Sequence, residues 1–463
     1  MAELDSRPGP WLRLSGFGGA LAVLTCPVSV SLSQAGLMLA LLGWALDSAL
    51  AVRARRPPAL RIEWRPALLA ALLVFGFELL ALIVNATLAA SPGERLLRGL
   101  RGEFKDVVLL PAAFWAMAWA RDPGRRERLL RWFEIALWIL VISGLASIFS
   151  IYRLAKIPAM MMSGWEVGPQ ARLQHHLGTL FVGERPIHFF MPIGLMNTHL
   201  TYAALIMLAF PFLALGVLRN VILSPRDLLR GIGLSRTVLF GLASIVLVLN
   251  NGRSAIFGAI VATLCGLVYF IKTEIRWKAL RLVPLFLLAL LLLFAVDRAS
   301  SSMHYRFARV MNALLGESKH TDNQRPLVYE GSLQLFARNP VVGIGPGEFG
   351  PAIDHWVIEK GAEHPRLWVP FSLAQRGHAH NDLLHILVIS GPGGALAFLL
   401  FAWLVFAAVF RPSRDSRVQY WKWGLIALFF AGLAQCYFQD DETMLPFWLY
   451  LGLVLGSEAD DEK

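Results

Sequence analysis

Arg376-Gly377-His378-Ala379-His380-Asn381-Asp382-Leu383-Leu384-His385 runs directly into the apolar stretch Ile386 to Phe410, which carries Gly391-Pro392-Gly393-Gly394 within it. Three histidines, an amide and a carboxylate thus stand at the mouth of a segment long enough to cross a bilayer, for which about 20 apolar residues suffice. Polar groups at a bilayer edge cost free energy unless they are solvated or paired, so the cluster calls for a reason beyond solubility.

Working outward from this stretch, apolar runs of similar length recur along the chain. Hydrophobic residues make up 56% of the 463 positions and charged residues only 16%, outside the range of soluble domains. The expected fold is an all-α polytopic membrane protein of about 12 spans, counted as runs near 20 residues. Their approximate cores lie at 13–31, 34–52, 66–85, 106–120, 132–152, 194–218, 237–250, 255–271, 282–297, 384–410, 424–439 and 445–457, with the first two separated at Ser31 to Gln34.

Basic residues alternate between the ends of these spans. Arg53, Arg55, Arg56, Arg61 and Arg65 form one group, and Arg121, Arg125, Arg126, Arg128 and Arg131 form the next on the same side. Arg219, Arg226, Arg230 and Arg236, then Lys272, Arg276, Lys278 and Arg281, then Arg411, Arg414, Arg417 and Lys422 continue the series. The positive-inside rule makes that side cytoplasmic and places both termini there. The net charge of +11 reads as a topology signal, and nucleic acid is not an expected partner. Met1 to Pro10 lacks the compact basic region of a secretory signal, so the first helix is expected to be retained. Cys26, Cys265 and Cys436 all lie in apolar runs and read as buried small side chains.

The organisation that follows is a membrane domain over 1–297, an outer loop subdomain over 298–383, and a second membrane portion over 384–463. In the subdomain, Thr321-Asp322-Asn323 precedes Leu327, Val328, Gly331, Leu335 and Phe336 on one helical face, and Asn339-Pro340 ends the pattern. Arg325 falls in the first turn of that helix, either solvated or placed to hold an anion beside the free amides. Val342 to Gly350 is glycine-rich but lacks the flanking strand of a nucleotide loop, and reads as a tight turn returning the chain to the membrane. Arg253 occupies the short turn Asn250 to Ser254, where it either snorkels to lipid phosphate or clamps a phosphate-bearing ligand. Asp440-Asp441-Glu442 reads as a solvated acidic hairpin, with cation binding as the alternative, and Glu78 is an ionisable group within a span. His175, His176, His188 and His199 match no zinc spacing.

These residues carry a family likeness. His380-Asn381, nine residues, then Gly391 and Gly394 is similar to the histidine motif of bacterial O-antigen ligases. Asn251-Gly252-Arg253-Ser254 resembles the family's short arginine turn, and Arg325 to Tyr329 with Asn339 to Phe349 resembles the segment preceding the histidine motif in the wider ligase and polymerase superfamily. The resemblance covers roughly 240–400 in detail, while the family's element before the sixth span appears only as Met196-Asn197-Thr198-His199.

The resemblance implies a GT-C-like glycosyltransferase of the bacterial inner membrane with its active site on the periplasmic side. Its donor would be O-antigen on undecaprenyl pyrophosphate and its acceptor a lipid A-core sugar, with no cofactor and no metal. His380 would be the general base and Arg253 and Arg325 the pyrophosphate ligands, with His378, Asn381 and Arg376 as further substrate-binding residues. Histidine titrates near neutrality, which suits a base, and the sequence offers no Asp-X-Asp pair for a metal. An O-antigen polymerase, a protein O-oligosaccharyltransferase and, at greater distance, a transporter are the alternatives. A helix continuous from His380 would bring Gly391 within about 20° of the histidine face, so that the glycines let a neighbouring span approach beneath it.

Overall fold

The computed structural model describes residues 9–55, 57–61, 63–161, 173–182, 184–275, 325–363, 377–413 and 415–458. The expected span at 282–297, the helix cap at Thr321 to Asn323 and the candidate ligand Arg376 lie outside them.

The described chain is almost wholly helical, as its hydropathy predicts. Helices α1 (Pro10–Thr25), α2 (Val30–Arg53), α3 (Pro66–Thr87), the short amphipathic α4 (Pro92–Arg101), α5 (Pro111–Ala120) and α6 (Pro123–Ile148) come first. Then follow α7 (His199–Leu223), α8 (Gly231–Asn250) and α9 (Arg253–Phe270). After the undescribed segment come α10 (Arg325–Arg338), α11 (Phe349–Glu363), α12 (Asp382–Phe410), α13 (Ser416–Trp421), α14 (Trp423–Gly432) and α15 (Asp441–Ser457). Among the described residues, seven helices are long and apolar enough to cross a membrane: α2, α3, α6, α7, α8, α9 with its extension to Thr273, and α12. Leu69, Leu73 and Leu80 on α3 and Phe257, Ile260 and Leu264 on α9 are exposed, as lipid-facing side chains must be.

Starts and stops follow local chemistry. Proline opens α3, α5 and α6, where a missing amide costs nothing. Asp122 and Thr198 accept the Arg125 and Thr201 amides as N-caps. The first long apolar run divides earlier than expected, since α1 ends at Thr25 and Ser29 caps α2. The run 424–439 is helical only to Gly432, and residues 433–440 form an irregular, largely buried loop. A two-stranded antiparallel hairpin, β1 (His176–Val182) with β2 (Arg185–Phe190), is a further departure from the helical expectation.

The two ends of the bundle differ. At the end bearing the basic loops, Arg236 and Arg417 both reach Glu134, at 2.7 and 3.0 Å, and Arg126 pairs with Asp415 at 3.2 Å. The arginines that set the expected orientation are therefore also part of a half-buried ion-pair network joining α6, α8 and α13. At the other end α10 and α11 share a small core, with Val328, Leu335, Phe349, Ile353 and Trp356 packed against Ala379, Val388 and Ile389. The helix pair rests directly on the first half of α12.

Candidate functional site

The polar run at the mouth of α12 is held by each of its members in turn. Asn381 is the N-cap, its Oδ1 accepting the Leu384 amide at 2.9 Å, while its Nδ2 donates to the Leu433 carbonyl at 2.9 Å. Asp382 Oδ1 accepts the Tyr437 and Phe438 amides at 2.9 and 3.0 Å. The irregular loop 433–440 is thus bonded to the start of α12, which is how non-helical backbone at this depth meets its hydrogen-bonding needs.

His380 lies just outside the helix. Its φ of +52° puts it in the left-handed region, which non-glycine residues adopt only when their surroundings enforce it. The imidazole is buried, with Nδ1 2.8 Å from Gln435 Oε1, and the backbone carbonyl accepts the Tyr329 hydroxyl of α10 at 3.3 Å. His378 stacks obliquely on it, ring centroids 4.5 Å apart, and its Nε2 lies 3.1 Å from Gln435 Nε2. Burial, His380, His385 and Arg325 together push His378 down to about 3, which favours its neutral form.

The expectation of a continuous helix from His380 is overturned. Helix α12 begins at Asp382, and Gly391, with φ 69° and ψ −172°, breaks it nine residues later. Residue 392 is proline, which has no amide to return to Val388. The freed carbonyls of Val388 and Ile389 instead accept the Ile344 and Gly345 amides at 2.9 and 3.0 Å. The glycine-rich turn therefore docks into the break. A Cβ on Gly343 would stand 2.5 Å from the Val388 oxygen and one on Gly391 2.4 Å from the Val341 oxygen, so both positions need glycine. The small residues admit a loop to the backbone there, and only Gly393 faces a neighbouring span, at Phe77.

The docked turn is held from above. Asn85 Nδ2 donates to the Gly343 carbonyl at 3.0 Å, Arg95 to that of Ile344 at 3.1 Å, and Glu103 accepts the Gly347 amide. Glu103 also faces His385 Nε2 at 3.5 Å, while His385 Nδ1 accepts the Ala379 amide at 3.3 Å. Burial alone would raise the Glu103 carboxyl, but His385 and the Gly347 amide more than offset it and hold it below the usual carboxylate range. His385 thus ties the glycine turn to the loop carrying His378 and His380.

Arg253 is the first residue of α9, and α10 is described from Arg325 onward. Asn251, in the left-handed conformation at φ 60°, ends α8 and lets the chain reverse into α9. Tyr437 is where their elements meet. Its hydroxyl lies 2.8 Å from Ser254 Oγ, Arg325 acts on it electrostatically, and its amide is bonded to Asp382. Ser254, the residue after Arg253, and Asp382, two residues after His380, thus both bond to Tyr437.

A cavity of about 830 Å³ opens beside them. His378, Gln435, Glu103, Arg101, Lys105 and Arg153 line it, whereas Arg253, Arg325 and His380 are not among the described lining residues. Residues of the long loop also reach it, including His175, Asn197 and His199, which gives that stretch a place in the site. Asp440, weighed as a cation ligand, is instead the N-cap of α15 and accepts the Thr201 and Thr443 hydroxyls at 3.1 and 2.9 Å. Burial and the neighbouring acids Glu442 and Asp441 raise its carboxyl to about 6, against the lowering effect of the two hydroxyls. Among the described residues no three His, Cys, Asp or Glu side chains are grouped to hold a metal ion.

Gln435 and Glu103 escaped the sequence reading. Gln435 carried a usable signal, being a polar side chain inside an expected span, where such residues are functional candidates. Glu103 had none, because only the fold brings it to Gly347 and His385.

Against known proteins, residues 238–402 match the family model described as O-antigen ligase. The matched region runs from within α8 through both arginine turns and the glycine loop into α12, and it excludes Glu103 and Gln435. No curated protein matches the chain.

Proposed function

From the match of residues 238–402 to the O-antigen ligase family model, we propose that the chain is an inverting glycosyltransferase of the bacterial inner membrane, transferring O-polysaccharide from undecaprenyl pyrophosphate to a sugar hydroxyl of lipid A-core on the periplasmic side. What supports this reading is the family match over 238–402 together with Tyr437, which bonds both Ser254, next to Arg253, and Asp382, beside the histidine pair. In the proposed step the acceptor oxygen bonds to the anomeric carbon as the bond to pyrophosphate breaks, and His380 takes the hydroxyl proton. The electron pair leaves on the pyrophosphate oxygen, and the Arg253 and Arg325 guanidiniums stabilise the developing charge. One displacement inverts the anomeric centre. Two permanent cations at the leaving group supply the stabilisation a divalent ion gives to many sugar-nucleotide enzymes.

His378, Asn381 and Arg376 complete the proposed substrate-binding set. Of the two that are described, His378 lines the cavity, and Asn381 acts through the cap that sets the height of His380.

The deciding experiment gives the purified, reconstituted protein lipid-linked O-polysaccharide with and without lipid A-core. Transfer only when lipid A-core is present supports the ligase; chain extension in its absence would replace it with a polymerase, and transfer to a pilin-type peptide with an oligosaccharyltransferase. Arg253→Ala and Arg325→Ala should each weaken binding of the lipid pyrophosphate roughly 10- to 100-fold, the loss of one charge-assisted contact. Unchanged donor affinity in both variants would remove the clamp.

A further inference from the structure

His378 and His380 share one amide, that of Gln435, itself buried. An amide oxygen can only accept a hydrogen bond, and an amide nitrogen can only donate one. In the arrangement with Oε1 2.8 Å from His380 Nδ1, that nitrogen carries the hydrogen, and the amide Nε2, 3.1 Å from His378 Nε2, donates to its lone pair. We propose that Gln435 is a positioning residue that locks His380 in its Nδ1–H tautomer, so that Nε2 is the nitrogen that takes the acceptor's proton. This rests on the reading of His380 as the base.

The geometry makes Gln435 fit for that task. Its loop is bonded on one side through Leu433 to Asn381 and on the other through Tyr437 and Phe438 to Asp382. The two residues following His380 therefore fix the backbone that carries its partner. Rotation of the amide by half a turn would present NH₂ to His380 Nδ1, drive the hydrogen to Nε2 and abolish the base. His378 guards against this rotation. With its hydrogen on Nδ1 it offers a lone pair to the amide nitrogen; with a hydrogen on Nε2, as the other tautomer or as the imidazolium, it would favour the amide oxygen. Facing the imidazole pair are His385 from α12, Arg325 and Tyr329 from α10, Glu103 from the turn after α4, and Cys436 beside the His380 backbone. Of these His385 and Arg325 oppose charge on His378 and Glu103 favours it; burial is the largest influence, and the sum keeps the ring neutral.

The test uses the full-length protein in lipid nanodiscs with lipid-linked O-polysaccharide and lipid A-core. Gln435→Leu, which keeps the volume and removes both bonds, should lower kcat about 10- to 100-fold with the donor KM unchanged, the usual range for a residue acting through another. Gln435→Glu places a carboxylate against Nδ1 and stabilises the imidazolium. The His380 pKa rises, the basic form is lost at a higher pH, and the acid limb of the kcat profile should move up by about one unit or more. A Gln435→Glu profile that overlays the wild type, or a Gln435→Leu variant with unaltered kcat, overturns the proposal. Activity surviving in His380→Ala would instead overturn the assignment of the base, so the two failures are distinguishable.

Discussion

His380→Ala should lower transfer by roughly 100- to 10,000-fold, the contribution of a positioned general base, while leaving donor binding and the detergent-stable fold intact. The residue is suited to this test because its backbone and its side chain make separate demands. The backbone, at φ +52°, offers its carbonyl to the Tyr329 hydroxyl, whereas the imidazole bonds to Gln435. His380→Asn keeps a side chain that tolerates the left-handed region, and His380→Gly removes the strain entirely. Both should fold at least as well as the wild type and both should be inactive. Free imidazole added to His380→Gly should restore part of the rate, because the space left by the side chain lies against Gln435. Near-normal ligation by the asparagine variant would take His380 out of the chemistry and leave it a residue of the fold.

The second large effect is expected far from any reacting group. Gly391→Ala introduces a Cβ 2.4 Å from the Val341 oxygen at a φ of 69° and ψ of −172°, a region essentially reserved for glycine. Conformational strain and overpacking together amount to on the order of 3 kcal/mol. The glycine turn should then leave the helix break, exposing the Val388 and Ile389 carbonyls. Because α10, with Arg325, packs on the same half of α12, activity should fall together with thermal stability. Gly241→Ala is the matching control, in a helix where nothing lies within 4 Å, and it should be neutral. A Gly391→Ala protein with unchanged Tm and full turnover would show that the docked turn is dispensable.

Much of the molecule was legible in its sequence because its rules are local. Hydropathy over about 20 residues places a span whatever its neighbours. Proline and capping side chains place helix starts for reasons within one turn, as at Thr198 and Asp122. The histidine motif, the arginine turn and the Arg325 helix are likewise contiguous strings. What misled was also local: a helix continued across Gly391 and Pro392 gave an angular argument for the glycines that fails once the backbone turns away there. The run 424–439 reads as a span because its mean hydropathy does not reveal that Asp382 and Asn381 bond its unwound end.

The sequence by itself determined that the chain is a helical membrane protein, which helix starts carry arginine, and that a histidine stands at the mouth of a span. Only the tertiary structure decided what that histidine can do. Its partner Gln435 is 55 residues away, and the contact between Glu103 and Gly347 crosses 244. Such contacts have no period and no spacing, since they arise where an irregular, buried backbone must find hydrogen-bond partners. Their demand unwinds the end of one helix, breaks another at Gly391, and by doing so fixes both the aim of His380 and the amide that faces it.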